Sequence, residues 1–132
     1  MRPLAIVLKL VAPLLLIVGA LHLVLGLRAD ALLGARISAE VIADPALDSQ
    51  NRFYGVAFTL YGVLLLLCST NIPKYATVLR CVLWMFFSAG VARLVSIAIH
   101  GLPPPMIIAL LIGEVVPPPL LASWLSRVEN ES

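Results

Sequence analysis

Two residues of opposite charge stand inside long apolar stretches of this sequence, where lipid offers neither of them a partner. Arg93 lies in the apolar run 75–100, and Glu114 lies in the apolar run 104–126. One unpaired charge at such a depth costs about 2.5–3.5 kcal/mol on insertion scales. The two runs are joined by a very short turn and must pack as antiparallel neighbours. The sequence therefore predicts an ion pair between Arg93 and Glu114.

Further polar residues recur at helical spacing in three of the apolar runs. Residues three or four positions apart share one face of a helix. The faces are Gly19, His22 and Gly26; Arg52, Gly55, Thr59 and Gly62; and Ala89, Arg93, Ser96 and His100. Because lipid cannot satisfy polar groups, such faces turn inward. The predicted polar cluster, in the outer half of the bundle, consists of Arg93, Glu114, His22, Arg52, Ser96 and His100.

Each of these features also has a purely structural interpretation. The predicted ion pair can be a clamp that fixes helix pairing instead of a ligand or proton site. His22 suits a hydrogen-bonded packing residue better than a ligand, while Arg52 and His100 lie at helix ends from which they can reach headgroups. The prolines at 117–119 lack amide hydrogens, so they free three carbonyls near Glu114 and predict a kink.

No motif indicates the chemistry of a soluble enzyme. The chain has no phosphate-binding loop, no nucleophile elbow and no pair of carboxylates in its apolar runs. His22, His100 and Glu114 are metal ligands by type, but Arg93 beside them opposes a second cation, so we predict no metal site and no cofactor. The Lys and Arg residues are scattered singly, and nucleic acid is not expected as a partner.

The elements that must hold these residues are membrane-spanning helices. The 132-residue chain is 61% hydrophobic and 12% charged, against about 45–50% and about 25% in soluble domains. The runs 4–27, 53–73, 75–100 and 104–126 are each long enough to cross a bilayer. The predicted fold is all-α, a single domain over residues 1–132 built as an integral membrane bundle of four transmembrane helices. The first run exceeds the usual apolar region of a signal peptide, which favours a retained helix over a cleaved leader.

The loop of residues 28–50 joins the first two spans and is rich in acidic residues. Its apolar residues recur every four positions, which predicts one short amphipathic helix in the membrane interface or over the mouth of the bundle. Asp48 or Ser49 is expected to cap the second span. More Lys and Arg lie on the side of the termini, so the positive-inside rule predicts cytoplasmic termini and an outer loop. The apolar stripe consists of Leu33, Ile37 and Val41.

Several short motifs resemble those of a family of small bacterial four-helix membrane proteins. The motifs are Gln-Asn-Arg-Phe-Tyr-Gly at 50–55, Gly-Val-Ala-Arg-Leu-Val-Ser at 90–96, Gly-Leu-Pro at 101–103 and the lone Glu114. Over nearly the whole chain, the sequence resembles a family known as a domain of unknown function, similar to the DoxX-like group in size and layout. Val91 departs from the glycine usual at that position. The resemblance implies a four-helix bundle in the bacterial inner membrane and supplies no activity.

Three functions are open at the level of sequence. The favoured one is a non-enzymatic accessory or interaction component of a membrane complex, with a membrane protein or a second copy of this chain as partner. The alternative is a binding or transport site for a small anionic or amphipathic ligand, since inward-facing Arg52 and Arg93 outnumber Glu114. The third is a membrane enzyme that uses Glu114 as acid or base on a lipid-soluble substrate. All three share the lipid bilayer as a partner.

Overall fold

The chain folds entirely into α-helices in a computed structural model that describes all residues 1–132. Four elements are long and apolar enough to cross a membrane, namely α1, α4, α5 and the consecutive pair α6 and α7. The predicted all-α membrane bundle of four spans is therefore confirmed. The helices are α1 (Arg2–Leu25), α2 (Arg28–Leu32), α3 (Ala39–Ile42), α4 (Pro45–Thr70), α5 (Ile72–His100), α6 (Pro105–Val115) and α7 (Pro117–Asn130).

The apolar core lies in the half of the bundle that contains both chain termini, which we call the terminal half. α1, α4, α5 and α7 all contribute side chains to one buried cluster. Within it, Leu8, Leu79 and Leu125 have no exposed surface. An ion pair between Arg80 of α5 and Glu129 of α7 joins the helices at the same end. Close packing in the terminal half thus fixes the four spans relative to one another.

α1 and α4 pack closely because glycines remove side chains from their contact. A Cβ atom at Gly19 would lie 2.6 Å from the backbone nitrogen of Thr59, and one at Gly55 would lie 2.9 Å from that of Leu23. Small residues let membrane helices approach each other in this way. The glycine positions identified in the sequence therefore bring the polar residues of α1 and α4 side by side in the opposite half, which we call the loop half.

The segment between α1 and α4 is not the single amphipathic helix that the sequence predicts. Gly34 has a φ of 103°, a left-handed conformation that ends the helical path and that glycine adopts at no steric cost. A new helix starts only after Ser38, whose hydroxyl accepts a hydrogen bond from the amide of Val41. The stripe of Leu33, Ile37 and Val41 is therefore interrupted, and the segment forms the two short helices α2 and α3.

α4 begins at Pro45, eight residues before the predicted start of the second span at residue 53. The side chain of Asp44 accepts hydrogen bonds from the amides two and three residues further on, at 2.9 and 3.0 Å. Proline at the first helical position suits this start because its missing amide hydrogen would have had no partner. The prediction that Asp48 or Ser49 caps this helix is wrong, since Asp44 does so.

The fourth span is divided at Val116 into α6 and α7. The prolines at 117–119 carry no amide hydrogen and cannot extend the hydrogen bonding of α6. The same prolines are well placed in the first turn of α7, where amide hydrogens have no intrahelical partner. The helix is interrupted two residues beyond Glu114, although Val116 keeps helical dihedral angles (φ −83°, ψ −55°), and the kink stays a prediction.

Candidate functional site

Arg93 of α5 and Glu114 of α6 form a two-point ion pair in the loop half. Arg93 Nε donates a hydrogen bond to Glu114 Oε2 at 2.6 Å, and Nη2 donates to Oε1 at 3.1 Å. The Glu114 side chain is 8% exposed and that of Arg93 is 32% exposed. Two such bonds fix the orientation of the guanidinium relative to the carboxylate as well as their distance. The predicted ion pair is confirmed.

A glycine in α5 makes room for this pair. A Cβ atom at Gly90 would lie 2.5 Å from the side chain of Val115 and 3.2 Å from the Cβ of Glu114. Any side chain at this position would therefore push α6 away from α5. Arg93 follows Gly90 by about one helical turn and lies on the same face, so the close approach brings its guanidinium within reach of the carboxylate.

A second polar cluster connects α1, α2 and α4. His22 Nε2 lies 3.2 Å from Asp30 Oδ1, and Asn51 Nδ2 donates a hydrogen bond to Asp30 Oδ2 at 2.5 Å. The other ring nitrogen of His22, Nδ1, lies 2.8 Å from the carbonyl oxygen of Val18. The carboxylate of Asp30 thus fastens the short helix α2 to both α1 and α4.

The hydrogen bonds of His22 define its charge. The carbonyl of Val18 and the carboxylate of Asp30 can only accept hydrogen bonds, so each needs an N–H from the ring, and only the imidazolium carries both. The hydrogen bond with His22 lowers the pKa of Asp30, and Asn51 acts in the same direction against the opposing effect of burial. The cluster is therefore an imidazolium–carboxylate pair.

Both polar clusters line one cavity of about 430 Å³ in the loop half. An almost wholly apolar pocket of about 290 Å³ lies next to it, toward the middle of the bundle. The two spaces adjoin, and together they are polar at one end and apolar at the other. The polar wall of the cavity consists of His22, Asp30, Asn51, Arg93 and Glu114. The residues that line both spaces are Val18, Phe58, Phe86, Leu110 and Glu114.

Aromatic rings stand at the boundary between the two spaces. Phe58 stacks on the ring of His22, with the centroids 6.2 Å apart and the planes inclined by 21°. Phe86 contacts Tyr61, with centroids 4.4 Å apart. Phe58 therefore borders both the polar cavity and the apolar pocket, with its ring stacked on that of His22.

Three of the six predicted site residues line this cavity, namely His22, Arg93 and Glu114. Ser96 instead lines a separate cavity of about 310 Å³ between α5 and α6, which Arg93 also borders. His100 is exposed in the last turn of α5 and lines neither cavity. The prediction that this face of α5 turns inward is thus correct as far as Arg93. Ser96 and His100, further along the helix, do not line the same cavity.

Arg52 lies outside the cavity. Its Nε donates to Asp48 Oδ2 at 2.8 Å, and its Nη1 donates to the carbonyls of Leu23 and Val24 at 2.6 and 3.1 Å. It satisfies carbonyls at the C-terminal end of α1, where a positive charge is favourable. The prediction of a cavity with excess positive charge is therefore wrong, because Arg52 is outside and Asp30 adds a negative charge inside.

Asp30 and Asn51 are the site residues that the sequence reasoning missed. Asn51 precedes Gly55 by four residues, so the two residues share one helix face, as Arg52 and Gly55 also do at a spacing of three. This spacing was the available signal for Asn51. Asp30 carried no such signal, because its position depends on the path of the chain after Gly26, where φ is 57°.

The fold and the cavity define the class of this molecule, which is a small multi-pass membrane protein of four spans with a polar cavity in one half. Within that class, residues 3–125 match the family model described as a domain of unknown function (DUF4345). The chain therefore belongs to the DUF4345 family, as the resemblance in its motifs predicts. No curated protein and no solved structure matches the chain.

Proposed function

We propose that this protein binds a small amphipathic molecule in the cavity of the loop half. The observation that carries the proposal is that a cavity with four charged groups and an apolar pocket share five lining residues. Ligand sites in proteins measure about 300–1,000 Å³ and combine apolar walls with a few convergent polar groups. The cavity of about 430 Å³ fits this description, and the adjoining pocket offers space for an apolar tail.

The pairing of Glu114 argues for binding over catalysis. Both carboxylate oxygens accept hydrogen bonds from Arg93, so neither oxygen is free to act on a substrate while the ion pair is intact. An accessory role in a membrane complex stays a prediction that the small size of the chain motivated. We assign the protein to the bacterial inner membrane on the strength of the family resemblance.

Filling the cavity provides a direct test. Ala89 and Ala98 are both exposed residues of α5, but Ala89 lines the cavity and Ala98 borders none of the cavities described above. The wild type and the variants Ala89→Phe and Ala98→Phe would be purified in native lipid and analysed by native mass spectrometry for bound small molecules. We expect the wild type and Ala98→Phe to retain a ligand and Ala89→Phe to lose at least about nine-tenths of it, equivalent to tenfold weaker binding.

Equal retention by all three proteins would contradict the proposal, as would a wild type that carries no bound molecule. Circular dichroism of each variant serves as the control for folding.

A further inference from the structure

We infer that the ligand is an uncharged amphiphile whose head group donates a hydrogen bond, with a long-chain alcohol as the simplest example, and that Asn51 Oδ1 accepts this bond. The inference rests on the proposed function and narrows it to one class of ligand. Three observations support it, namely the charge balance of the cavity, an acceptor without a donor in its wall, and the apolar character of the neighbouring pocket.

The charges that line the cavity cancel. Arg93 and the imidazolium of His22 are positive, while Glu114 and Asp30 are negative, and each positive group is bonded to a negative one. A head group with a full charge would either remain unpaired in a low-dielectric site or break one of these pairs, and both are costly. A neutral polar head group avoids that cost.

Asn51 carries a buried acceptor without a donor. Asn51 is 8% exposed, and its Oδ1 is the one buried side-chain nitrogen or oxygen atom in the protein that has no hydrogen-bond partner. The amide nitrogen donates to Asp30, which assigns the free end of the amide as the oxygen. Buried polar atoms are nearly always bonded. Asn51 lines the cavity and its Oδ1 is covered, so a ligand hydroxyl would satisfy this oxygen after a shift of the amide toward the cavity.

The neighbouring pocket suits an alkyl tail. Its only ionisable lining residue is Glu114, both of whose oxygens are bonded to Arg93. The other residues in its wall are hydrophobic, proline or glycine, among them Leu14, Leu83 and Leu121. A molecule with its hydroxyl at Asn51 and its chain in this pocket would place each part beside groups of its own polarity.

Photolabelling with matched probes tests this inference. The protein in phosphatidylcholine nanodiscs would be labelled with four diazirine-bearing probes of equal chain length: decanol, decyl sulfate, decyltrimethylammonium and decane. We expect decanol to label the peptides that line the cavity about fivefold more than decane, which is the effect of one net hydrogen bond, and more than either charged probe. Asn51→Leu should bring the ratio of decanol to decane labelling close to one, and Ser96→Ala, in the separate cavity, should leave it unchanged.

Decane labelling of Asn51→Leu reports whether its cavity persists, and the comparison of head groups in the wild type decides the inference even if that variant does not fold. Stronger labelling by the sulfate or the ammonium probe would overturn the inference while it supports the proposed function. An unchanged ratio in a folded Asn51→Leu would also overturn it. Absence of cavity labelling by all four probes would overturn both the inference and the proposed function.

Discussion

The terminal half and the loop half of the bundle contain the same four spans but are held together by different interactions. In the terminal half, leucines such as Leu8 and Leu79 are completely buried in an apolar cluster, and the Arg80–Glu129 ion pair lies partly exposed beside it. In the loop half, two ion pairs connect the helices around a cavity of about 430 Å³. One half therefore contributes mainly packing, and the other contributes directional polar contacts that border an open cavity.

The difference shows how a short membrane protein can combine stability with a hollow site. Membrane helices associate through close packing and interhelical hydrogen bonds, because lipid is as apolar as their side chains. The packed half fixes the helix positions. The loop half can then remain open, because Arg93–Glu114 and His22–Asp30 each tie together elements that would otherwise separate.

The largest expected effect comes from removing one member of the buried ion pair. Glu114→Leu leaves the Arg93 guanidinium without a partner, and we expect it to lower the free energy of unfolding by about 3–5 kcal/mol. The double variant Arg93→Met/Glu114→Leu should recover most of this loss, because no charge is left unpaired. Reversible unfolding in mixed micelles measures both effects. If the double variant has the same free energy of unfolding as Glu114→Leu, the ion pair stabilises the fold by more than the compensation of charge.

A smaller effect should separate the two halves directly. Leu79→Ala, in the packed cluster, should cost about 2–4 kcal/mol, because a cavity is left in close-packed surroundings. Leu110→Ala, in the wall of the loop-half cavity, should cost about 1 kcal/mol, because the side chain already borders open space. Equal losses in the same unfolding assay would contradict the difference in packing between the halves.

Much of this architecture can be predicted from sequence because the bilayer restricts the possibilities. Long apolar runs become helices, and a lone Glu and a lone Arg in adjacent runs must meet, as Arg93 and Glu114 do. The misassignment of Arg52 has a physical reason. A long side chain near a helix end can fold back onto the carbonyls of α1, and periodicity alone does not distinguish it from the neighbouring Asn51. The position of Asp30 required the backbone path at Gly26 and the course of α2.

The smallest expected effect concerns the pH dependence of the His22–Asp30 contact. Asp30 has a pKa below its ordinary value of 3.8, so its stabilising contribution is fully present above that value and is lost as the pH falls through the lowered pKa of the folded state. Docking of α2 should weaken as the pH falls below about 4, where Asp30 takes up a proton. Amide hydrogen exchange in α2, corrected for the pH dependence of the intrinsic exchange rates, measures how firmly α2 is docked at each pH. Asp30→Asn should abolish the dependence, and release of α2 already at about pH 6 would contradict it.

The most direct test of the central claim, that the loop half contains an accessible ligand cavity and the core around Cys68 is closed, uses two thiols in one molecule. In a Cys81→Ser background, the native Cys68 reports on the terminal half, where it has no exposed surface, and Ala57→Cys reports on the cavity. With a small membrane-permeant thiol reagent, we predict that the cysteine at position 57 reacts at least about tenfold faster than Cys68, because its surroundings are polar and open. We also predict that excess decanol suppresses its reaction. Equal rates at the two positions, or no protection by decanol, would contradict the account.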